Sequence, residues 1–337
     1  RDANRYRMTD DEEAYLEKYG TVAYLVIQDD SIRYEEYRED WTPQKLSNIF
    51  SATKSIVGLL VGIAYDEGFI ESLDDKVSKY LPEFGEGDKI TIRNLLTMSS
   101  GLDWDEAYTA LISKTTQAYY GDRIRDLIMD LKVVEEPGKK YSYKSGDTQL
   151  LSFVLEAALD KVHKEKEYGI FKTEVKVHSP VSISEYAERK LWKPLGACND
   201  ALWNLDREDG DEKTYCCFNT TARDLARLGR LILNKGNWNG RQLISETYLN
   251  EAITPAGYLE NEFGDGSLDY YGFQIWIMHY KEMRFPAFRG LGGQYMFVIP
   301  QKKAIVIRLG HKRSDEYIRE KTIDMDAYLD IAFKILE

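Results

Sequence analysis

The sequence predicts a mixed α/β fold, of the α+β kind, with one antiparallel sheet built from both ends of the chain. Strand patterns occur in the first 40 residues and again after residue 270, while the apolar positions between them recur mainly at helical spacing. A single sheet with a helical insertion accommodates strands at both termini. We therefore expect a sheet domain of residues 1–66 and 259–337, and a mainly helical domain of residues 67–258.

The N-terminal segment predicts one helix and a β-hairpin. Thr9 and Glu12 form a capping-box pattern for a short helix that ends near Tyr19. The apolar run Thr21–Gln28 predicts a buried strand, and residues 31–38 alternate as a second strand. A turn of two residues joins the two strands.

The rest of the chain predicts helices followed by strands. Helical patterns occupy residues 92–98, 124–131, 148–159, 183–191 and 222–233. Strand patterns follow at 271–280, 294–299 and 304–309, and an amphipathic helix over 314–336 closes the chain. The charged stretch 162–180 lies between two predicted helices, and we expect it to be a solvated insertion, either a loop or a hairpin.

Composition excludes several classes of function. A formal net charge of -12 argues against binding to nucleic acid or to an anionic membrane, since those partners favour clustered Lys and Arg. The longest apolar stretch, at 56–65, is much shorter than the roughly 20 residues of a spanning helix, so we expect no membrane span. The chain begins at Arg1 without an initiator Met, and we expect a periplasmic or secreted protein whose signal segment is removed; a cytoplasmic location stays open. We expect a monomer or a weak homo-oligomer.

The cysteines and histidines predict neither a disulfide framework nor a metal site. Cys216 and Cys217 are adjacent and are not expected to bridge to each other, which leaves open one bridge from Cys198 to either of them. The four histidines are scattered without ligand spacing, and the cysteines form no C-x-x-C pattern. We therefore expect no cofactor and no structural or catalytic metal.

Ser51 and Lys54 stand three residues apart at the start of an apolar helix, so their side chains are neighbours. A serine hydroxyl becomes a nucleophile when a base takes its proton. A lysine can be that base where burial and the helix N-terminus disfavour its charged form. The pattern indicates a serine hydrolase of the Ser-Lys type; the alternative is an ordinary helix start with a solvated lysine.

A second motif, Tyr141-Ser142-Tyr143-Lys144-Ser145, lies in a loop before an apolar helix. In an extended loop, Tyr143 and Ser145 point to the same side. A tyrosine beside a lysine ammonium can relay a proton to a leaving group. The alternative is an aromatic loop packed on the core, with Ser145 or Asp147 capping the next helix.

A third motif, Phe288-Arg289-Gly290-Leu291-Gly292-Gly293-Gln294, opens a late strand with three glycines in four positions. Glycine there permits close backbone approach, and the alternative interpretation is a simple β-bulge. A tetrahedral oxyanion needs two converging N–H donors. The amides of Ser51 and Leu291 are the candidates, and we expect Gly290 and Gly292 to border the substrate.

In this order, SxxK, YxS and a glycine-rich strand resemble the serine β-lactamase and penicillin-binding-protein superfamily, in its class C and esterase branch. The stretches ITIRNLLTMSSGL and TTARDLARLGRLIL are also similar to family landmarks, so the resemblance covers nearly the whole chain. Within the superfamily, the YxS loop and the Gly-Leu-Gly-Gly-Gln strand resemble nylon-oligomer (aminohexanoate-dimer) hydrolases and related esterases. The resemblance implies a β-lactamase-like fold with the active site in the cleft between the two domains.

Carried over by motif, the resemblance implies that Ser51 is the nucleophile, Lys54 its base and Tyr143 the proton relay. It also implies that Ser145 is a polar group near Lys54, and that Tyr108 contacts substrate, although a packed surface aromatic is the alternative for Tyr108. The expected substrate is a small ester or amide, cleaved through an acyl-enzyme.

The usual K-T-G or H-x-G strand of this superfamily is replaced here by Phe288-Arg289-Gly290. The lysine that would bind a β-lactam or peptide carboxylate is therefore missing, and Arg289 can substitute for it only if its side chain faces the cleft. This departure argues against the second function considered, a D-alanyl-D-alanine carboxypeptidase or β-lactamase. The third function considered is a non-catalytic binding or scaffold protein on the same fold. The intact Ser51, Lys54 and Tyr143 argue against it.

Overall fold

A computed structural model describes residues 4–108, 110, 112–167 and 181–337. Its centre is an antiparallel sheet of six strands, β1 (Thr21–Gln28), β2 (Ser31–Tyr37), β3 (Trp276–Tyr280), β4 (Met283–Gly290), β5 (Gln294–Ile299) and β6 (Ala304–Gly310). The strand order is β2-β1-β6-β5-β4-β3. Because β1 pairs with β6, the two ends of the chain build one sheet, which confirms the predicted fold class.

The described residues also form helices and short strands. The helices are α1 (Asp10–Lys18), α2 (Thr53–Asp66), α3 (Ile92–Leu96), α4 (Lys114–Tyr120), α5 (Ile124–Met129), α6 (Ser145–Glu167), α7 (Ile183–Ala187), α8 (Ala222–Leu233), α9 (Glu246–Ala252) and α10 (Asp324–Leu336). The short strands Ser47–Asn48, Phe218–Thr220 and Leu202–Trp203 form a small second sheet. Two further hairpins pair Asn237–Trp238 with Arg241–Gln242 and Tyr317–Ile318 with Lys321–Thr322.

The six-stranded sheet is covered on both faces. Helices α1 and α10 pack on one face, and α2 and α8 pack on the other. Alternation along β1 assigns Tyr24 and Val26 to the core under α10, while Ala23 and Leu25 belong to the core under α8. Helix α2 is buried all round from Thr53 to Ala64, which explains why its sequence is apolar on every face. The division into two domains stays a prediction.

The N-terminal elements agree with the sequence prediction, whereas the bounds of the C-terminal elements differ from it. Thr9 and Glu12 form the predicted capping box of α1. The C-terminal helix begins at Asp324 rather than at residue 314, because the preceding residues form the hairpin that pairs Tyr317–Ile318 with Lys321–Thr322. The expectation that the glycine-rich motif opens a strand is also wrong: Gly290 ends β4, and residues 291–293 form the turn into β5.

The expectation about the adjacent cysteines is wrong as well. Cys216 and Cys217 form a disulfide with each other, and Cys198 is free and exposed. In an extended backbone, neighbouring side chains point to opposite faces. Cys217 has a left-handed φ of 70° instead, and this turn of the backbone was not visible in the sequence.

Two further expectations concern the insertion and membrane spans. Helix α6 extends to Glu167, and residues 168–180 of the predicted insertion lie outside the described residues. No helix in the described part of the chain is long and apolar enough to cross a bilayer.

Candidate active site

Ser51 lies in a short 3-10 turn, Phe50–Ala52, immediately before α2. Phe50 has a positive φ of 46°, and its N–H donates to the Asn48 side-chain oxygen at 2.8 Å. Lys54 lies in the first turn of α2, and side chains three residues apart on a helical backbone are neighbours. The junction of the 3-10 turn and α2 therefore brings Ser51 and Lys54 together at the start of the buried helix.

Lys54 is the base predicted for Ser51, and its ammonium group contacts the serine directly. Its Nζ donates to Ser51 Oγ at 3.0 Å and to the Tyr215 carbonyl at 2.7 Å. The residue is 1% exposed. Burial lowers the pKa of Lys54 to about 8, although the negative charge of Glu106 opposes this effect. A substantial fraction of Lys54 is thus neutral near physiological pH, as a general base must be.

Tyr143 joins this pair, as predicted from the loop motif. Its ring centroid lies 5.0 Å from Lys54 Nζ, so Lys54 rather than Lys144 is the ammonium next to the ring. Burial and the charge of Glu106 raise the pKa of Tyr143, while a hydrogen bond with Ser51 lowers it. The phenol therefore holds its proton at neutral pH and contacts the candidate nucleophile. Ring contacts with Tyr271 and Trp276 fix its position.

Ser145 contacts a carboxylate that the sequence analysis did not single out. The hydroxyl and backbone N–H of Ser145 donate to Glu106 at 2.6 and 2.8 Å. The Trp104 indole and the Tyr108 hydroxyl donate to the same carboxylate at 2.7 and 2.6 Å. The hydrogen bonds described for Lys54 go to Ser51 and Tyr215, so the position of Ser145 near Lys54 stays a prediction. Glu106 links the two residues, since it accepts from Ser145 and its charge acts on Lys54.

Gly290 brings the end of β4 against the Ser51 turn. A Cβ atom at this position would lie 2.1 Å from the Ile49 carbonyl oxygen, so a larger residue would push the strand away. This close contact explains why position 290 is a glycine. It also places Leu291 beside the nucleophile, in the wall of the cleft that Ser51 lines. Gly292 does not line this wall; its φ of 72° indicates a role in the turn.

Three arginines line the cleft, and one of them, Arg319, forms an ion pair with Asp265. Arg289 is largely buried, donates to the Glu320 carbonyl and stacks on Trp276 with its guanidinium carbon 4.0 Å from the ring centroid. Arg313 is half-buried, and its guanidinium carbon lies 5.6 Å from the centroid of the Tyr317 ring. Arg289 is therefore already engaged, whereas Arg313 has no ion-pair partner in the described part of the chain.

The cleft has two arms that meet at Ser51, Tyr108 and Leu291. The charged arm has a volume of about 390 Å³, and Tyr143, Glu262, Arg289 and Arg313 line it. The aromatic arm has a volume of about 230 Å³, and its walls include Phe50, Tyr119, Tyr120, Tyr215 and Cys216. Tyr108 is half exposed and borders both arms, a position consistent with the predicted contact to substrate.

Sequence reasoning missed Glu106, the Tyr215 carbonyl and Arg313. Glu106 belongs to the run Asp103-Trp104-Asp105-Glu106, and no local signal distinguishes it from the neighbouring acids. A backbone carbonyl carries no sequence signal at all. Within the described residues, no group of three or more His, Cys, Asp and Glu side chains is arranged to hold a metal ion.

The chain is similar in sequence and in fold to proteins that are named as hydrolases. The chain is 26% identical over 319 residues to the 6-aminohexanoate-dimer hydrolase of Paenarthrobacter ureafaciens, which covers 89% of this chain and 74% of the relative. The fold of this chain is similar to that of a provisionally assigned 6-aminohexanoate-dimer hydrolase from Bacillus anthracis, with a TM-score of 0.77 and 21% sequence identity. The match covers 96% of this chain and 80% of the other. A family VIII carboxylesterase gives a TM-score of 0.68 at 16% identity, with 98% and 99% covered. The family model described as Beta-lactamase matches residues 9–328, and the chain belongs to this family of serine hydrolases.

Proposed function

We propose that the protein cleaves a small ester or amide through an acyl-enzyme on Ser51. The 3.0 Å contact between Lys54 Nζ and Ser51 Oγ, with Lys54 buried and its pKa lowered to about 8, is the observation that carries this proposal. Similar proteins named for hydrolysis of a 6-aminohexanoate dimer and of carboxylic esters support the substrate class.

Acylation transfers one proton from Ser51 to the leaving group through Lys54 and Tyr143. Neutral Lys54 accepts the Ser51 proton as Oγ attacks the substrate carbonyl carbon. The Ser51 and Leu291 amides donate to the developing oxyanion. Tyr143 gives its proton to the leaving oxygen or nitrogen and is reprotonated from Lys54, so the acyl group stays on Ser51. Water then attacks the acyl carbon, and the same groups return the serine to its starting state.

The state of Arg289 argues against the carboxypeptidase or β-lactamase alternative. The position that would bear the carboxylate-binding lysine is taken by Phe288, which is fully buried in the core. Arg289 is engaged by the Glu320 carbonyl and Trp276. An anionic group on a substrate would instead meet Arg313 in the charged arm.

We expect short-chain p-nitrophenyl esters to be hydrolysed and a chromogenic cephalosporin to be turned over slowly or not at all. Esters carry a good leaving group and need no carboxylate anchor. The measurement is kcat/KM of the purified protein for both substrates, with Ser51→Ala as the control for background hydrolysis. Efficient cephalosporin turnover with esters ignored would overturn the proposal in favour of the β-lactamase alternative.

Glu106→Gln is expected to shift the pH profile of kcat/KM. In the parent, activity should rise with pH through about 8, because Lys54 must lose its proton to act as the base. The charge of Glu106 raises the pKa of Lys54, so removing that charge lowers the pKa. The rising limb of the pH profile, in which activity increases with pH, then moves to lower pH. The measurement is the ester kcat/KM between pH 5 and 10.

Glu262→Gln is the matched control for this shift. Glu262 lines the same arm of the cleft but is not among the groups that perturb Lys54. Its removal should leave the limb where it is. An unmoved limb in Glu106→Gln, or an equal shift in both variants, would contradict the assigned role of Glu106.

A further inference from the structure

The Tyr215 carbonyl is one of the two acceptors described for the buried Lys54 ammonium, at 2.7 Å. An ammonium has three donors and no acceptor capacity, so the direction of this carbonyl fixes where Nζ lies relative to Ser51 Oγ. Burial makes an unpaired donor costly. What holds the Tyr215 carbonyl in place therefore bears directly on the Ser51–Lys54 contact.

Tyr215 lies in a turn, outside the helices and strands of the described chain. The peptide bond is planar, so the Tyr215 carbonyl moves as one unit with the Cys216 N–H. That N–H donates to the Lys213 carbonyl at 3.2 Å, at the long end of the usual range. One residue later the chain turns again at Cys217 and enters the strand Phe218–Thr220.

The Cys216–Cys217 disulfide closes a small ring at this junction. The ring couples the backbone torsions on both sides of the Cys216–Cys217 peptide, so the turn cannot relax without opening the bond. The neighbouring carbonyls are held as well: that of Cys216 accepts from the Trp203 indole at 3.1 Å, and that of Cys217 accepts from Asn204 N–H at 3.2 Å. The disulfide adds the covalent restraint next to the Tyr215 carbonyl.

The bond also borders the catalytic cleft. Cys216 lines the aromatic arm together with Ser51 and Tyr215, although both paired cysteines are only 4% exposed. A small dithiol can therefore reach the bond through the arm that opens at the nucleophile. Cys198 is exposed and free, and its sulfur accepts from Arg227 at 3.0 Å instead.

We propose that the Cys216–Cys217 disulfide is a positioning group for Lys54: it holds the Tyr215 carbonyl, and its reduction uncouples Lys54 from Ser51. The inference rests on the proposed function of Ser51 and Lys54. Reduction by a dithiol breaks the S–S bond and adds two electrons and two protons to give two thiols, while the dithiol becomes a disulfide. In the reverse exchange, the oxidised dithiol takes back the two electrons and two protons and the Cys216–Cys217 bond forms again.

The test measures the titration of Lys54 by NMR and, separately, the kcat/KM for ester hydrolysis. Protein labelled with ¹³C at the lysine Cε is titrated by NMR in the oxidised and dithiol-reduced forms, and Lys54→Arg assigns the signal. Intact mass under denaturing conditions checks that two hydrogen atoms were gained. Losing an acceptor disfavours the ammonium, so the titration of Lys54 should move to lower pH on reduction. Ester kcat/KM should fall about 10- to 100-fold, the scale of one hydrogen bond to a charged group.

Variants keep the outcome decisive. The double variant Cys216→Ser with Cys217→Ser should show the lower titration and lower kcat/KM without any dithiol, whereas Cys198→Ser should behave as the parent. A loosened fold would expose Lys54 to water and move its titration to higher pH, the opposite direction, and thermal unfolding reports it separately. An unchanged Lys54 titration in the double variant, or three free thiols in an active untreated protein, would overturn the proposal. If esters are not cleaved at all while the titration shifts, the function fails and the positioning role stands.

Discussion

Ser51→Ala is expected to reduce ester turnover by on the order of 10⁴ to 10⁶, the scale seen when a serine nucleophile is removed. The residual rate should come from binding and oxyanion stabilisation alone. Ser51 sits at the cleft surface rather than in the core, and its loss removes one hydrogen bond from Lys54. The measurement is kcat for a p-nitrophenyl ester, beside thermal unfolding of both proteins.

The fold of Ser51→Ala should be intact, so an unchanged melting curve is the control for that result. An activity-based phosphonate should label the parent and fail to label the variant. Turnover at the parental rate would eliminate Ser51 as the nucleophile, whatever the labelling shows.

Lys54→Met and Tyr143→Phe are each expected to lower kcat by about 10²- to 10⁴-fold, the usual contribution of a general base or proton relay. Methionine fills the buried lysine site without a base. Phenylalanine keeps the ring that packs on Trp276 and removes only the hydroxyl. Steady-state kinetics with the same ester measures both effects.

Tyr271→Phe is the matched control for the tyrosine. Tyr271 is fully buried beside Tyr143, and its hydroxyl has no hydrogen-bond partner in the described part of the chain. We expect its kcat to equal that of the parent. A normal kcat in Tyr143→Phe, or an equal loss in Tyr271→Phe, would remove Tyr143 from the catalytic groups.

The sequence predicted those parts of the molecule that local chemistry determines. The capping box at Thr9 and Glu12 and the apolar run of β1 depend on residues a few positions apart. The Ser51–Lys54 spacing is equally local, and the start of α2 converts it into a 3.0 Å contact. Tyr143 could be predicted from the sequence because its motif precedes a helix whose apolar pattern is clear.

The remaining features depend on contacts between distant segments. Glu106 receives donors from Ser145, 39 residues away, so its place beside Lys54 appears only after folding. Arg313 differs from Arg289 only by what surrounds each guanidinium. The Cys216–Cys217 bond requires a backbone turn at Cys217, and the stretch contains no residue type that predicts such a turn.

The central claim is an acyl group carried on Ser51, and trapping that intermediate tests it most directly. The protein is mixed with a p-nitrophenyl ester, quenched in acid during the first turnover, digested and analysed by mass spectrometry. We predict a burst of p-nitrophenol matched by an acyl adduct on the peptide at Ser51. Turnover with no adduct at any time, or an adduct confined to another residue, would contradict the account.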